Sequence, residues 1–138
     1  MSKIYLDSCM IIGLIEGDAT QRQLLKKNCI HHKIYSSELA RLETRLLAIR
    51  NNNQNLLKQF DRFFVACEII NLDRDVFERA TLLRSKNNIK TPDALHISAA
   101  IETNCHEFWT NDSQLIKAAR QYIEMVDFEV LKTRNITK

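Results

Sequence analysis

The hydrophobic pattern of the chain alternates between short apolar runs and longer segments in which apolar residues recur every three or four positions. The short runs predict five strands, at residues 3–6, 33–35, 68–72, 108–110 and 126–131. The longer segments predict helices, at residues 8–16, 19–28, 56–67, 75–85, 92–103 and 113–122. They also predict a long helix that Ser36 or Ser37 caps and that ends at about Arg50. Because strands that alternate with helices favour right-handed crossovers, we expect an α/β fold with a mainly parallel sheet and helices on both faces.

Length and composition indicate one globular domain. The chain has 138 residues, of which 45% are hydrophobic. We place the domain at residues 1–132 and expect the polar segment 133–138 to be a flexible C-terminal tail. Two glycines are too few for either of the glycine-rich loops that bind nucleotide phosphates. The net charge of +3 is compatible with a polyanionic partner but does not by itself imply one.

The N-terminus and the cysteines predict a cytoplasmic protein. The first apolar run reaches Asp7 before the core of a secretory signal is complete. The longest uncharged apolar stretch, residues 9–15, is far shorter than the ~20 residues that span a bilayer, so we expect no membrane association. No C-x-x-C pair occurs, and we expect reduced thiols at Cys9, Cys29, Cys67 and Cys105.

Three aspartates lie where a strand or a loop meets the start of a helix. Asp7 directly follows the first predicted strand, and Asp112 follows the fourth. Asp93 lies in the first turn of a helix that we expect to begin at Pro92, with Thr91 as its cap. A helix cap or the helix dipole explains each aspartate taken alone. In a parallel sheet, however, such junctions converge on one edge, so we expect the three aspartates to lie close together.

Glu43 is an acid on the apolar side of a predicted helix. At the helical period it falls within the arc of Leu39, Leu42 and Leu46. An unpaired buried charge is costly, so Glu43 needs either an arginine of a facing helix or a cation. Glu38 precedes it in the first helical turn, where the helix dipole is a sufficient explanation.

Four carboxylates in one pocket would have a defined chemistry. Like charges raise one another's pKa unless a cation lies among them. Carboxylate oxygens suit Mg²⁺ or Mn²⁺, and an acidic metal site on a mildly basic protein is typical of phosphoryl chemistry. An aspartyl-phosphate phosphatase is disfavoured, because the residue two positions after Asp7 is Cys9 rather than a second aspartate.

Four segments of the chain resemble a known family. They are I-Y-L-D-S at 4–8, S-S-E-L-A-R-L-E at 36–43, T-P-D-A-L-H-I-S-A-A at 91–100 and W-T-N-D at 109–112. In this order and spacing they resemble the PIN-domain family of nucleases and, within it, the VapC-type toxins of toxin–antitoxin pairs. The resemblance extends from Lys3 to about Leu131 and implies a three-layer α/β/α sandwich.

The resemblance implies a catalytic quartet and a metal cofactor. The quartet falls on Asp7, Glu43, Asp93 and Asp112. Asp7, Asp93 and Asp112 would be the ligands of Mg²⁺ or Mn²⁺, and Glu43 would orient a water molecule or bind a second ion. Glu38 is the other candidate for the second acidic position, and we prefer Glu43 because its helical position faces inward. We expect His96, the histidine of the third segment, to be a half-buried side chain whose hydrogen bonds are satisfied, rather than a metal ligand or a base.

The implied function is a divalent-metal-dependent endoribonuclease that acts as the toxin of a type II toxin–antitoxin pair. Its expected partners are an RNA substrate, a co-encoded antitoxin and a second copy of the chain in a homodimer. Two alternatives stay open: a non-catalytic module of the same fold that binds RNA or protein, and a housekeeping nuclease without an antitoxin. The basic residues that are candidates for contacts with the RNA backbone are scattered, a pattern typical of a solvated surface: Lys26, Lys27, Lys33, Arg41, Arg45, Lys86 and Lys90.

Overall fold

The computed structural model describes residues 2–136, which form a five-stranded sheet and eight helices. The strands are β1 Ser2–Leu6, β2 His32–Ser37, β3 Glu68–Ile70, β4 Glu107–Trp109 and β5 Glu124–Val126. The helices are α1 Ser8–Glu16, α2 Ala19–Cys29, α3 Glu38–Arg50, α4 Gln54–Ala66, α5 Arg74–Lys86, α6 Thr91–Glu102, α7 Ser113–Ala119 and α8 Phe128–Ile136. Strands and helices therefore alternate as predicted over most of the chain.

The sheet is parallel throughout, with the strand order β3-β2-β1-β4-β5. The first strand is central, and Leu6 at its end is paired with Trp109 at the end of β4. On the other side of β1, Tyr5 is paired with Tyr35, two residues before β2 ends at Ser37. The segments that follow β1, β2 and β4 consequently leave the sheet at one edge, next to one another.

Each face of the sheet is covered by its own hydrophobic core. Tyr5 and Phe108 point to one face, where they pack with side chains of α5, α6 and α7. Ile4, Leu6 and Trp109 point to the other, where they pack with α1, α2, α3, α4 and α8. This alternation along β1 and β4 follows from the period of two in a strand. The architecture is thus the predicted three-layer α/β/α sandwich.

The strand predicted at residues 126–131 is wrong. β5 ends at the residue where that strand was expected to begin, and a helix follows from Phe128. Asn111 Oδ1 accepts a hydrogen bond from the Phe128 amide at 3.0 Å, and Asp127 Oδ1 accepts one from the first helical turn, also at 3.0 Å. Leu131 is fully buried one turn later. Side-chain capping has therefore overridden an apolar–polar alternation that was typical of a strand.

Residues 133–136 of the predicted tail continue α8, and residues 137 and 138 lie outside the described residues. In this last turn, Arg134 donates two hydrogen bonds to the Glu107 carboxylate of β4, at 2.8 and 2.9 Å. Burial alone would raise the pKa of Glu107, but the hydrogen bonds from Arg134 and Trp109 hold it below its usual value. The ion pair fastens α8 to the sheet, while the domain boundary at residue 132 stays a prediction.

Two helix caps needed the structure to be assigned. Ser37, not Ser36, caps α3, since its Oγ accepts a hydrogen bond from the third residue of the helix at 3.3 Å. Thr91 does not cap α6: the cap is Lys90, which makes no side-chain cap bond, and Thr91 is already helical. The Thr91 hydroxyl instead accepts a hydrogen bond from Arg84 Nη1 at 2.9 Å.

All four cysteines are free thiols, as predicted. Along residues 2–136, every helix is too short or too polar to cross a bilayer.

Candidate active site at the carboxyl edge of the sheet

Asp7 lies at the point where the central strand passes into α1. It is 8% exposed, and its Oδ1 accepts hydrogen bonds from the Met10 amide at 3.2 Å and from Cys9 Sγ at 2.9 Å. The bond to Met10 makes Asp7 the cap of α1. Burial raises the pKa of Asp7, and these hydrogen bonds only partly oppose it. Burial and Asp7 also raise the pKa of Cys9 to about 12, so the thiol keeps the proton that it donates.

Glu43 reaches the same edge from the middle of α3. Its Oε1 accepts hydrogen bonds from the Ser8 hydroxyl and from His96 Nε2, the latter at 2.7 Å. Burial alone would raise the pKa of Glu43, but His96 and Ser8 outweigh burial and lower it. The arginine partner considered for Glu43 is not there; a histidine takes its place. Glu38 is exposed in the first turn of α3, as its interpretation as a dipole-stabilising residue requires.

Asp93 is a half-buried acid that has neither a hydrogen bond nor an ion pair with any of residues 2–136. Its pKa is raised, first by burial and then by the negative charges of Asp112, Asp7 and Glu43. The charge of His96 acts in the opposite direction. The fold therefore brings the four predicted acids near enough for each of the other three to repel the Asp93 carboxylate.

Asp112 occupies the turn after β4 and starts α7. Its Oδ1 accepts hydrogen bonds from the amides of Gln114 and Leu115, at 3.0 and 3.1 Å. Asp112 is thus the cap of α7, while the neighbouring Asn111 accepts its hydrogen bond from the first residue of α8. Asp7 and Asp112 both serve as helix caps, and the negative charge of each also raises the pKa of Asp93.

A buried hydrogen-bond chain supports Glu43 from behind, and sequence reasoning missed it. His96 is 3% exposed, not half-buried, and its Nδ1 lies 2.6 Å from the Tyr5 hydroxyl, which is bonded to Ser37 Oγ at 2.8 Å. Because a carboxylate only accepts, His96 Nε2 carries the hydrogen toward Glu43. The signal available in the sequence was a tyrosine between Ile4 and Leu6, two residues before Asp7.

This chain leads to a prediction about stability. Tyr5→Phe leaves His96 Nδ1 and Ser37 Oγ buried without their partner, so we expect the free energy of unfolding to fall by about 1–3 kcal/mol. Tyr35→Phe on the neighbouring strand is the matched control, because the Tyr35 hydroxyl makes no hydrogen bond with the described residues. Urea denaturation of both variants measures the difference. Equal losses would show that the buried chain contributes nothing.

The donor set fits a hard divalent cation, although no ready-made metal cluster is present. Among residues 2–136, no three histidine, cysteine, aspartate or glutamate side chains are already grouped closely enough to hold an ion. None of the four acids is paired with a lysine or an arginine of these residues. Carboxylate oxygens are the ligands that Mg²⁺ and Mn²⁺ prefer, and a cation would relieve the repulsion at Asp93. The site accordingly fits such an ion by its chemistry and its charge.

Solved structures of the same fold come from several bacterial toxin–antitoxin systems. A toxin–antitoxin complex from Klebsiella pneumoniae is 21% identical, with a TM-score of 0.69, and covers 89% of this chain and 95% of that one. VapBC from Salmonella typhimurium bound to DNA is 15% identical, with a TM-score of 0.73, and covers 93% and 99%. The VapC20 toxin from Mycobacterium tuberculosis, described as cleaving the sarcin-ricin loop, is 13% identical, with a TM-score of 0.68, and covers 83% and 94%.

The sequence itself gives the family. The chain has no significant match among curated protein sequences. A model of the PIN domain, however, matches residues 4–121, which hold four of the five strands and all four acids of the cluster. That match confirms the resemblance drawn from the four sequence segments, and this chain belongs to the PIN domain family.

Proposed function

We propose that the protein is a divalent-metal-dependent endoribonuclease and the toxin of a type II toxin–antitoxin pair. The observation that carries the proposal is Asp93, a half-buried carboxylate that faces three other acids and has no cationic or hydrogen-bonding partner among the described residues. Such an arrangement destabilises a fold unless a ligand uses it. Membership of the PIN domain family supports the same chemistry.

The four acids would have two roles in the proposed reaction. Asp7, Asp93 and Asp112 would hold Mg²⁺ or Mn²⁺, directly or through water. The bound ion would neutralise charge on the phosphodiester and make water a better nucleophile. Glu43, kept ionised by His96 and Ser8, would accept a hydrogen bond from the attacking water and orient it toward phosphorus. The bond to the 3′ oxygen breaks, leaving a 3′-hydroxyl and a 5′-phosphate.

The expected partners follow from the family and from the solved structures. The Klebsiella and Salmonella structures are toxin–antitoxin assemblies, which supports an antitoxin for this chain. The loop cleaved by VapC20 is RNA, which supports an RNA substrate. A homodimer in the cytoplasm completes the proposal. It is supported by an exposed apolar stripe on α3, formed by Leu42, Leu46 and Ile49.

Removal of the metal is the direct test. We expect the purified chain to cleave a single-stranded RNA when Mg²⁺ or Mn²⁺ is present and to lose that activity in excess EDTA, with recovery when the ion is restored. Gel analysis of a 5′-labelled RNA measures cleavage and shows whether the products carry a 5′-phosphate. The Asp7→Asn variant, purified in the same way, controls for contaminating ribonucleases. Cleavage that persists in EDTA, or that is equal in the variant, would exclude the proposed mechanism.

A further inference from the structure

A groove leads away from the acid cluster between the α5–α6 loop and α7. Its inner part is a cavity of about 110 Å³ whose lining includes Asp93 and Asp112. Its outer part is a cavity of about 520 Å³. The two cavities share three lining residues, Asn88, Gln114 and Ala118, so they form one continuous groove. We name it the lysine groove and define it by Lys86, Asn88, Lys90, Gln114, Lys117 and Gln121.

We propose that the lysine groove binds the phosphate backbone of single-stranded RNA and guides it into the acid cluster. This inference rests on the proposed function, whose substrate site it extends. It assigns a binding role to Lys117, which the sequence did not single out, and to two of the seven basic residues that it did, Lys86 and Lys90.

The charge of the groove favours a polyanion. Lys86, Lys90 and Lys117 are exposed, and none of them forms an ion pair with the described part of the chain. The described residues that line the outer cavity include no acid. The acids that line the inner cavity, Asp93 and Asp112, are the ones that the proposed ion would neutralise. A strand of phosphates would therefore meet lysines along the outer groove and the cation at its inner end.

Hydrogen bonds hold the two walls of the groove in place. Arg84 Nε donates to the Ile89 carbonyl at 2.9 Å, which braces the α5–α6 loop from below. At the far end, Asn87 Nδ2 donates to the Tyr122 hydroxyl at 2.8 Å, and Gln121 Nε2 donates to Asn87 Oδ1 at 3.2 Å. The loop and the end of α7 are thus tied together without a ligand, so little ordering is needed when one binds.

The lining also indicates which nucleic acid fits. Among the residues that the structure describes, no aromatic side chain lines either cavity, so base stacking contributes little and the contacts go to the backbone. The amides of Asn88, Gln114 and Gln121 are able to donate to and accept from a ribose 2′-hydroxyl, which DNA lacks. Binding should accordingly tolerate many sequences, depend strongly on salt and favour RNA over DNA.

Fluorescence anisotropy in EDTA tests the groove separately from cleavage. The probe is a labelled single-stranded RNA of ~12 nucleotides. Each phosphate contact on a single strand contributes about −0.7 to the slope of log K against log salt, or about fivefold in affinity at 0.1 M salt. We expect Lys86→Ala, Lys90→Ala and Lys117→Ala each to lose about that much, and the triple variant to flatten the slope by about 2. Lys58→Ala, an exposed lysine on α4, is the matched control and should bind like the parent.

The outcomes separate this inference from the proposed function. A triple variant that binds with the affinity and slope of the control overturns the groove even if the parent cleaves RNA. A parent that binds through these lysines but never cleaves RNA overturns the nuclease and leaves the groove. Equal affinity for DNA of the same sequence overturns the assignment to RNA, and a parent without salt-dependent binding overturns the whole inference.

Crosslinking of the unaltered chain gives a second measurement that needs no variant. RNA carrying 4-thiouridine should crosslink to peptides from residues 86–90 and 114–121. Crosslinks confined to other surfaces would contradict the proposed path.

Discussion

Asp93→Asn should lower metal-dependent RNA cleavage about 100-fold or more, the scale expected when a metal site loses a ligand charge. The same change should leave the metal-free protein at least as stable as the parent. Burial and three neighbouring acids raise the pKa of Asp93, so its ionised form costs more free energy in the folded state than in the unfolded chain. Asparagine removes that charge with little change in volume. Activity and stability should therefore move in opposite directions.

Cleavage rates and thermal melting in EDTA measure the two effects. Asp75→Asn makes the same chemical change at an exposed position on α5 and should leave cleavage unchanged. Expression in cells adds a biological readout: the parent should arrest growth, and Asp93→Asn should relieve the arrest. An Asp93→Asn protein that cleaves RNA like the parent would remove Asp93 from the site. One that melts well below the parent would show that the carboxylate has a structural partner.

The largest expected effect on stability comes from the core on the sheet face that α1, α2, α3, α4 and α8 cover. Phe60 of α4 is fully buried in the core that also holds Leu6 and Trp109. Phe60→Ala removes an aromatic ring and leaves a cavity, so we expect the free energy of unfolding to fall by about 3–5 kcal/mol. Urea denaturation measures the change, with a lower midpoint and an unchanged slope.

Phe77→Ala on α5 is the matched control for Phe60→Ala. Phe77 is also helical but 49% exposed, so the same truncation should cost less than about 1 kcal/mol. Similar losses in the two variants would contradict the assignment of the core to the sheet face beneath α4.

Local patterns predicted most of the architecture. The strand Ser2–Leu6 ends where local signals place its end. Helix α1 ends just before Gly17 and helix α3 ends just before Asn51, again where local signals predict. The C-terminal segment is the exception: the apolar–polar alternation outweighed the local cap Asp127, and Asn111, which lies far away in sequence, adds a hydrogen bond from the Phe128 amide. A contact of that kind leaves no trace in a local hydrophobic pattern.

Only those features of the site that follow from the strand order could be predicted from the sequence. Asp7 and Asp112 follow neighbouring parallel strands, so their proximity follows from the strand order. The arc of Leu42 and Leu46 that predicted an inward Glu43 is wrong as the buried side of α3, because both leucines are exposed and the buried residues are Ala40, Thr44 and Ala48. Glu43 is half-buried and reaches the site through its bonds to Ser8 and His96. The bonds from Tyr5 through His96 to Glu43 could not be foreseen, since they require the separation of β1, α3 and α6 to within tenths of an ångström. The lysine groove likewise exists only once α5 and α7 are neighbours.

Asp7 and Asp112 each cap a helix as well as belonging to the proposed site, and this would affect how the chain evolves once catalysis is no longer selected. Positions 7 and 112 start helices, so folding alone would confine them to short polar residues that are able to cap. Position 93 does not cap a helix, and loss of its negative charge would stabilise the folded state. An inactive descendant would reveal itself there first, while its other two aspartates still gave the outward signature of an enzyme.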